Sequence, residues 1–178
     1  MLMVLALFMI LIADFFLVLH SYEVGLHFVG VTAFLAAQML FMRRLHLNLT
    51  IKALKFDIIL RVLLTVISFA ITVPLLWSQY SVLYFVSAIY IAQLVANVII
   101  ACIKFKTHAI FSVALILLLL CDIFVGLQWR ASAWFGFWVP FNFAWLFYAP
   151  AKVLLVVSFF QKLSTQEKIS VLKESNAV

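Results

Sequence analysis

LMVLALFMILIADFFLVL, residues Leu2–Leu19, and AIFSVALILLLLCDIFVGL, residues Ala109–Leu127, are near-continuous apolar runs, and each encloses one aspartate, Asp14 or Asp122. A bilayer-crossing helix needs about 20 apolar residues at about 1.5 Å each, and both runs are close to that length. A carboxyl at membrane depth costs about 2.5–3.5 kcal/mol on insertion scales, so it turns toward the protein interior and serves a purpose there. One such residue is accounted for by a structural hydrogen bond. Two at matching depth point to a site.

Working outward, 69% of the 178 residues are hydrophobic and 10% are charged, a balance that excludes an ordinary soluble domain. Further apolar runs at roughly 25–42, 57–77, 80–103 and 142–160 join the first pair, at roughly 2–20 and 108–128. The expected fold is all-α: one polytopic membrane bundle of about six transmembrane helices over residues 1–161, followed by a polar cytoplasmic tail, 162–178. The N-terminal run has no basic segment ahead of it and no small-residue cleavage site, so it reads as a span rather than a leader.

The net charge of +6 does not indicate nucleic acid, because the basic residues gather in the short links between runs. Arg43, Arg44, Lys52 and Lys55 fall in the second link, Lys104 and Lys106 in the fourth, and Lys162, Lys168 and Lys173 in the tail. Arg130 alone is basic on the alternate side. The positive-inside rule then puts both termini in the cytoplasm, and leaves the sequon Asn48-Leu49-Thr50 on the unglycosylated face. WRASAWFGFWVPFNFAW, residues Trp129–Trp145, holds four of the five tryptophans and reads as an aromatic belt at the outer headgroups, or as a lid over a lipid site. Cys102 and Cys121 lie in different spans at opposite expected depths, which argues against a disulfide, and no Cys/His spacing suggests a metal. No cofactor is expected.

On this topology the first and fifth spans run in the same direction, and Asp14 and Asp122 fall at almost the same depth. Gln38, Gln93, Asn97, Tyr148 and Lys152 are the other polar residues available near mid-membrane. Lys152 is the natural counter-ion for an aspartate, so a structural Asp–Lys pair competes with a catalytic reading. Asp57 and Arg61, spaced i,i+4, are expected to pair with each other. Gln93 and Asn97, one turn apart, are expected to form interhelical hydrogen bonds. His20 and His27 flank a turn and read as interfacial. Pro74 and Pro150 lie within spans, where membrane helices tolerate them.

ADFFL (Ala13–Leu17), GVTAFLAAQMLF (Gly30–Phe41), Cys121-Asp122 and YAPAK (Tyr148–Lys152), taken in order, resemble the helices of the YhhN-type lysoplasmalogenase family of integral membrane proteins. ADFFL, residues Ala13–Leu17, resembles that family's Gly-Asp-x-x-Leu helix, and GVTAFLAAQMLF, residues Gly30–Phe41, is similar to its Gly-Leu-x-x-Phe-x-x-Ala-His-x-x-Tyr helix. Cys121-Asp122 stands where the family has Ser-Asp, and Tyr148-Ala149-Pro150-Ala151-Lys152 where it has Tyr-x-x-x-Gln. The chain departs at Gln38, Phe41 and Lys152, where the family has His, Tyr and Gln. The family pattern also begins with two further helices, ahead of the region matched here. The resemblance implies hydrolysis of the vinyl-ether bond of a lysophospholipid, the lysoplasmalogen. Asp14 and Asp122 would be the catalytic carboxyls, with Gln38, Tyr148 and Lys152 in the substrate pocket. A non-catalytic membrane protein that binds lipid or a partner, or a small transporter, stands as the alternative.

Overall fold

The computed structural model describes residues 2–19, 24–46, 50–75, 82–134 and 142–175, with side chains over 25–46, 50–71, 82–125, 144–161 and nearly all of 2–19. Six helices and no strand occur among the described residues: α1 (Leu2–Leu19), α2 (Val24–His46), α3 (Ile51–Leu75), α4 (Val82–Ile103), α5 (Phe105–Trp134) and α6 (Asn142–Ser175). Four of them, α2, α4, α5 and α6, are long and apolar enough to cross a membrane, and α1 is a shorter apolar helix.

Local chemistry sets several boundaries. α3 begins at Ile51, ahead of the apolar run at 57, because Thr50 caps it: its Oγ1 accepts from Ala53 N–H at 3.4 Å and its carbonyl from Leu54 N–H at 2.9 Å. α5 changes direction at His108, whose φ of −139° and ψ of 35° are not helical. The apolar helix proper therefore starts at Ala109. The turn before it is closed by Lys104, whose carbonyl accepts from the amides of Thr107 and His108 and from the Thr107 hydroxyl. α6 tolerates Pro150, and its helix runs on to Ser175 through residues that the sequence reads as a polar tail. The His20–Glu23 turn, most of the sequon and residues 135–141 of the tryptophan segment lie outside the described residues.

The chain divides into two compact units, Met1–Ile103 and Lys104–Val178. In the first unit α1 packs on α2, and α4 packs on both α2 and α3. Small residues make these contacts close. Ala88, Ala92 and Ala96 form a buried i,i+4 stripe on α4, and Ala33 and Ala37 are buried on α2. At the α1–α2 contact a Cβ on Gly30 would lie 2.8 Å from Leu17 Cγ and 3.2 Å from the Ala13 carbonyl, so glycine is what lets the helices approach. In the second unit α5 and α6 form a helical hairpin around buried Phe111, Leu115, Leu118, Ala151 and Leu155. Large apolar side chains on the opposite faces point outward, among them Phe8, Leu11 and Phe15 on α1 and Ile59, Val62 and Val66 on α3. Bilayer lipid would cover these faces without cost.

Candidate functional site

Met3, Ala6, Ile10 and Ala13 are all buried on α1, a stripe at i, i+3, i+7 and i+10 that seats the helix on α2. Asp14 follows Ala13 directly, so at about 100° per residue it stands at the edge of that stripe, half-buried. The carboxyl is neither sealed in the core nor turned fully outward. That is the disposition expected of an ionisable group that must avoid lipid and remain reachable.

Asp122 occupies an equivalent half-buried position on α5, next to the buried Cys121. Phe124 of α5 stacks on Phe147 of α6, with centroids 5.2 Å apart and planes within 10°. This stack fixes the register of the hairpin. In an antiparallel pair, a step back along α5 and a step forward along α6 move toward the same end. Asp122, two residues before Phe124, therefore stands level with Ala149, one residue past Tyr148 and three short of Lys152. The Lys152 ammonium sits 4.2 Å from the centre of the Tyr148 ring, an i,i+4 cation–π contact. Tyr148 and Lys152 thus lie on either side of the level of Asp122, each within a turn of it, in the second unit, while Asp14 and Gln38 belong to the first.

The remaining membrane-depth polar residues of the first unit form one connected layer. Arg61 on α3 donates from Nε to Asp57 Oδ2 at 2.9 Å, from one terminal nitrogen to Gln93 Oε1 at 2.7 Å and from the other to Asn97 Oδ1 at 2.8 Å. The amide nitrogen of Asn97 then donates to both the side-chain and backbone oxygens of Gln38 on α2, each at 2.9 Å. His46 Nε2, at the end of α2, meets the same Asp57 oxygen that Arg61 uses. Asp57 is fully buried, Gln38 and Asn97 nearly so, and Arg61 is 7% exposed. The expected i,i+4 pair of Asp57 and Arg61 is present, and the Gln93 and Asn97 amides bond across helices. Buried charge is tolerable here because cation and anion neutralise each other and neighbouring amides satisfy the guanidinium's other donors. Within this layer Asp57 Oδ1 has no hydrogen-bond partner among the described residues. Gln38 is committed to this layer through Asn97.

Arg43, used in the sequence only for topology, and His46, not singled out there, turn out to be placed for chemistry. Arg43 and His46 close one end of a groove of about 570 Å³ between α1 and α2, otherwise lined by apolar side chains such as Leu5, Met9, Met39 and Leu40. The available signal was positional. His46 and Asp57 each lie within two turns of the short α2–α3 connection, close enough for an ion pair to bridge it. No group of three or more His, Cys, Asp or Glu side chains gathers among the described residues in a way that would hold a metal.

No protein-family model, curated protein or solved structure matches this chain.

Proposed function

We propose that the chain is a six-span membrane protein with both termini cytoplasmic, and that it hydrolyses the vinyl-ether bond of lysoplasmalogens. The observation that carries this reading is the pair of half-buried aspartates, one in each of two strongly apolar helices, α1 and α5. The ordered likeness of four sequence blocks to the YhhN-type lysoplasmalogenases supports it. In this reading α1 and α3 complete the six spans. The charges of Asp57 and Arg61 on α3 neutralise each other inside the protein.

The chemistry suits two carboxyls in different protonation states. One aspartic acid gives its proton to the β-carbon of the vinyl ether and leaves an oxocarbenium ion. The second, ionised, steadies that cation and takes a proton from the water that adds to the α-carbon. The resulting hemiacetal collapses, its C–O bond breaks, and a fatty aldehyde and a glycerophospho-alcohol leave. Lysophospholipid is the substrate class, and the reaction calls for no cofactor.

A second reading, a non-catalytic membrane protein, is favoured by the α5–α6 register, which brings Lys152 to within a turn of the level of Asp122. One experiment separates them: aldehyde release from lysoplasmalogen by the purified chain, its Asp14→Asn and Asp122→Asn variants, and Lys152→Gln. The hydrolase reading expects each Asn variant to lose aldehyde release while still inserting in the membrane. It expects Lys152→Gln to keep or gain activity. Wild-type turnover by either Asn variant rules the mechanism out. A well-folded wild type without turnover, with stability lost in Asp122→Asn and partly regained on adding Lys152→Gln, establishes the second reading.

A further inference from the structure

The groove between α1 and α2 runs from Ala36 to His46, ten residues or about 15 Å along α2. That is half of a hydrocarbon core about 30 Å thick, the depth of one leaflet. Its walls are apolar and adaptable, with methionines at positions 9, 39 and 42. Its one permanent cation, Arg43, and the imidazole of His46 stand together at the end nearest the α2–α3 connection. Apolar along its length and basic at one end, it has the pattern of an acyl chain with an anionic headgroup.

Charge at that end is one-sided. Arg43 is exposed and forms no hydrogen bond or ion pair among the described residues, whereas Arg44 beside it is buried, donating to Met3 Sδ at 3.1 Å. Lys52 and Lys55, exposed on the first turns of α3, add two further cations close by. Asp57 is the only acidic residue between Glu23 and Asp122, and Arg61 and His46 already claim its Oδ2. An anionic partner at Arg43 would meet no competing carboxylate, and it would meet His46 at Nδ1, since Asp57 holds Nε2. The groove is also separate from the proposed catalytic residue on α1. With Met3, Ala6, Ile10 and Ala13 seated on α2, Leu5 and Met9 fall on one flank of that stripe and Asp14 on the other.

We propose that this groove holds an anionic phospholipid of the leaflet facing the α2–α3 connection, one acyl chain lying along Met9, Met39 and Leu40 and the phosphate on Arg43 and His46. The lipid is a resident ligand, distinct from any substrate at the aspartates. It would tie α1 to α2 at the end where α2 turns into α3. On the proposed orientation this is the cytoplasmic leaflet, where anionic lipids are drawn to juxtamembrane cations.

The test is native mass spectrometry of the full-length protein released from nanodiscs containing equal parts phosphatidylglycerol and phosphatidylcholine. Wild type is expected to retain one phosphatidylglycerol in preference to phosphatidylcholine. One cation near a membrane surface is worth about a fivefold preference, so Arg43→Gln should lower that retention about fivefold. Met39→Trp, which fills the groove without changing charge, should lower retention of the acyl chain as well. Lys106→Gln, removing an exposed cation from the second unit, should leave it unchanged. Equal retention of the two lipids, equal losses in Lys106→Gln and Arg43→Gln, or no loss in Met39→Trp would overturn the proposal. Displacement of the lipid by inorganic phosphate would reassign the site to a free anion. None of these readouts involves aldehyde release, so failure here leaves the hydrolase reading standing, and the converse also holds.

Discussion

Arg61 is the hub of the polar layer that joins α2, α3 and α4, and replacing it tests that layer most directly. Arg61→Met keeps much of the side chain's length and removes the charge with all three of its hydrogen bonds, those to Asp57, Gln93 and Asn97. The two bonds to α4 are interhelical. Such bonds inside membranes average about 0.6 kcal/mol and reach about 1.7, so together they contribute about 1–3 kcal/mol. Loss of the guanidinium also leaves Asp57, fully buried, with His46 as its remaining partner, and breaking a buried pair costs about 3–5 kcal/mol where nothing relaxes. Because His46 remains and the carboxyl can take up a proton, a total near 3 kcal/mol is expected. That is more than a hundredfold in the folded population.

The assay is reversible unfolding of the purified protein in mixed micelles, followed by far-ultraviolet circular dichroism. Asp57→Leu should cost a similar amount, since it orphans the guanidinium. The double variant Asp57→Leu/Arg61→Met should cost at least about 2 kcal/mol less than the sum of the singles, because it removes both charges and leaves the amides free to pair with each other. Val66→Ala, on the outward face of α3, serves as the comparison and should cost under about 1 kcal/mol. If Arg61→Met proves no worse than Val66→Ala, or if the two charge substitutions simply add, the layer is not what joins α2, α3 and α4.

Gly30→Ala should destabilise the α1–α2 contact by about 1–2 kcal/mol in the same unfolding assay, and Leu17→Ala should recover part of it, because Leu17 supplies the nearest clashing atoms. Gly25→Ala, where an added Cβ meets nothing within 4 Å, should be neutral or stabilising by up to about 1 kcal/mol. Thr50→Ala should cost about 0.5 kcal/mol, the low end for a lost cap given its 3.4 Å bond, with faster amide exchange confined to the start of α3. Asn97→Leu should exceed the cost of Gln93→Leu, since Asn97 accepts from Arg61 and donates twice to Gln38, whereas Gln93 receives one bond from Arg61. Comparing the two midpoints checks this directly.

Helix positions were the most legible part of this chain, because apolar runs bounded by charge need no tertiary information to be read as helices. The start of α4 falls within two residues of its apolar run and its end coincides with that run. The departures have local causes that hydropathy does not register. α3 starts six residues ahead of its run because a Thr50 cap and a good helical sequence, IKALKF, carry the helix through a charged stretch. α6 outlasts its apolar run because Lys, Glu, Gln and Ser continue a helix once it has been nucleated, whatever their hydropathy.

Pairing by short spacing was legible too, as with Asp57 and Arg61. What spacing within one helix could not give was convergence from three helices. Gln38, Asn97 and Arg61 are separated by tens of residues, and only the packing of α4 against both α2 and α3 brings them to one level. That convergence changes how the conspicuous polar residues divide. Asn97, Gln93, Arg61 and Asp57 are bound to one another in a nearly sealed layer, and chemistry on a substrate would require that layer to open. Asp14 and Asp122 lie outside it at half-buried positions, and Arg43 lies outside it at the mouth of a groove. A buried polar network that saturates itself is a brace. Polar groups held at the edge of an apolar surface are where a lipid can be met, and on that distinction the aspartates and the groove are the places to look for function.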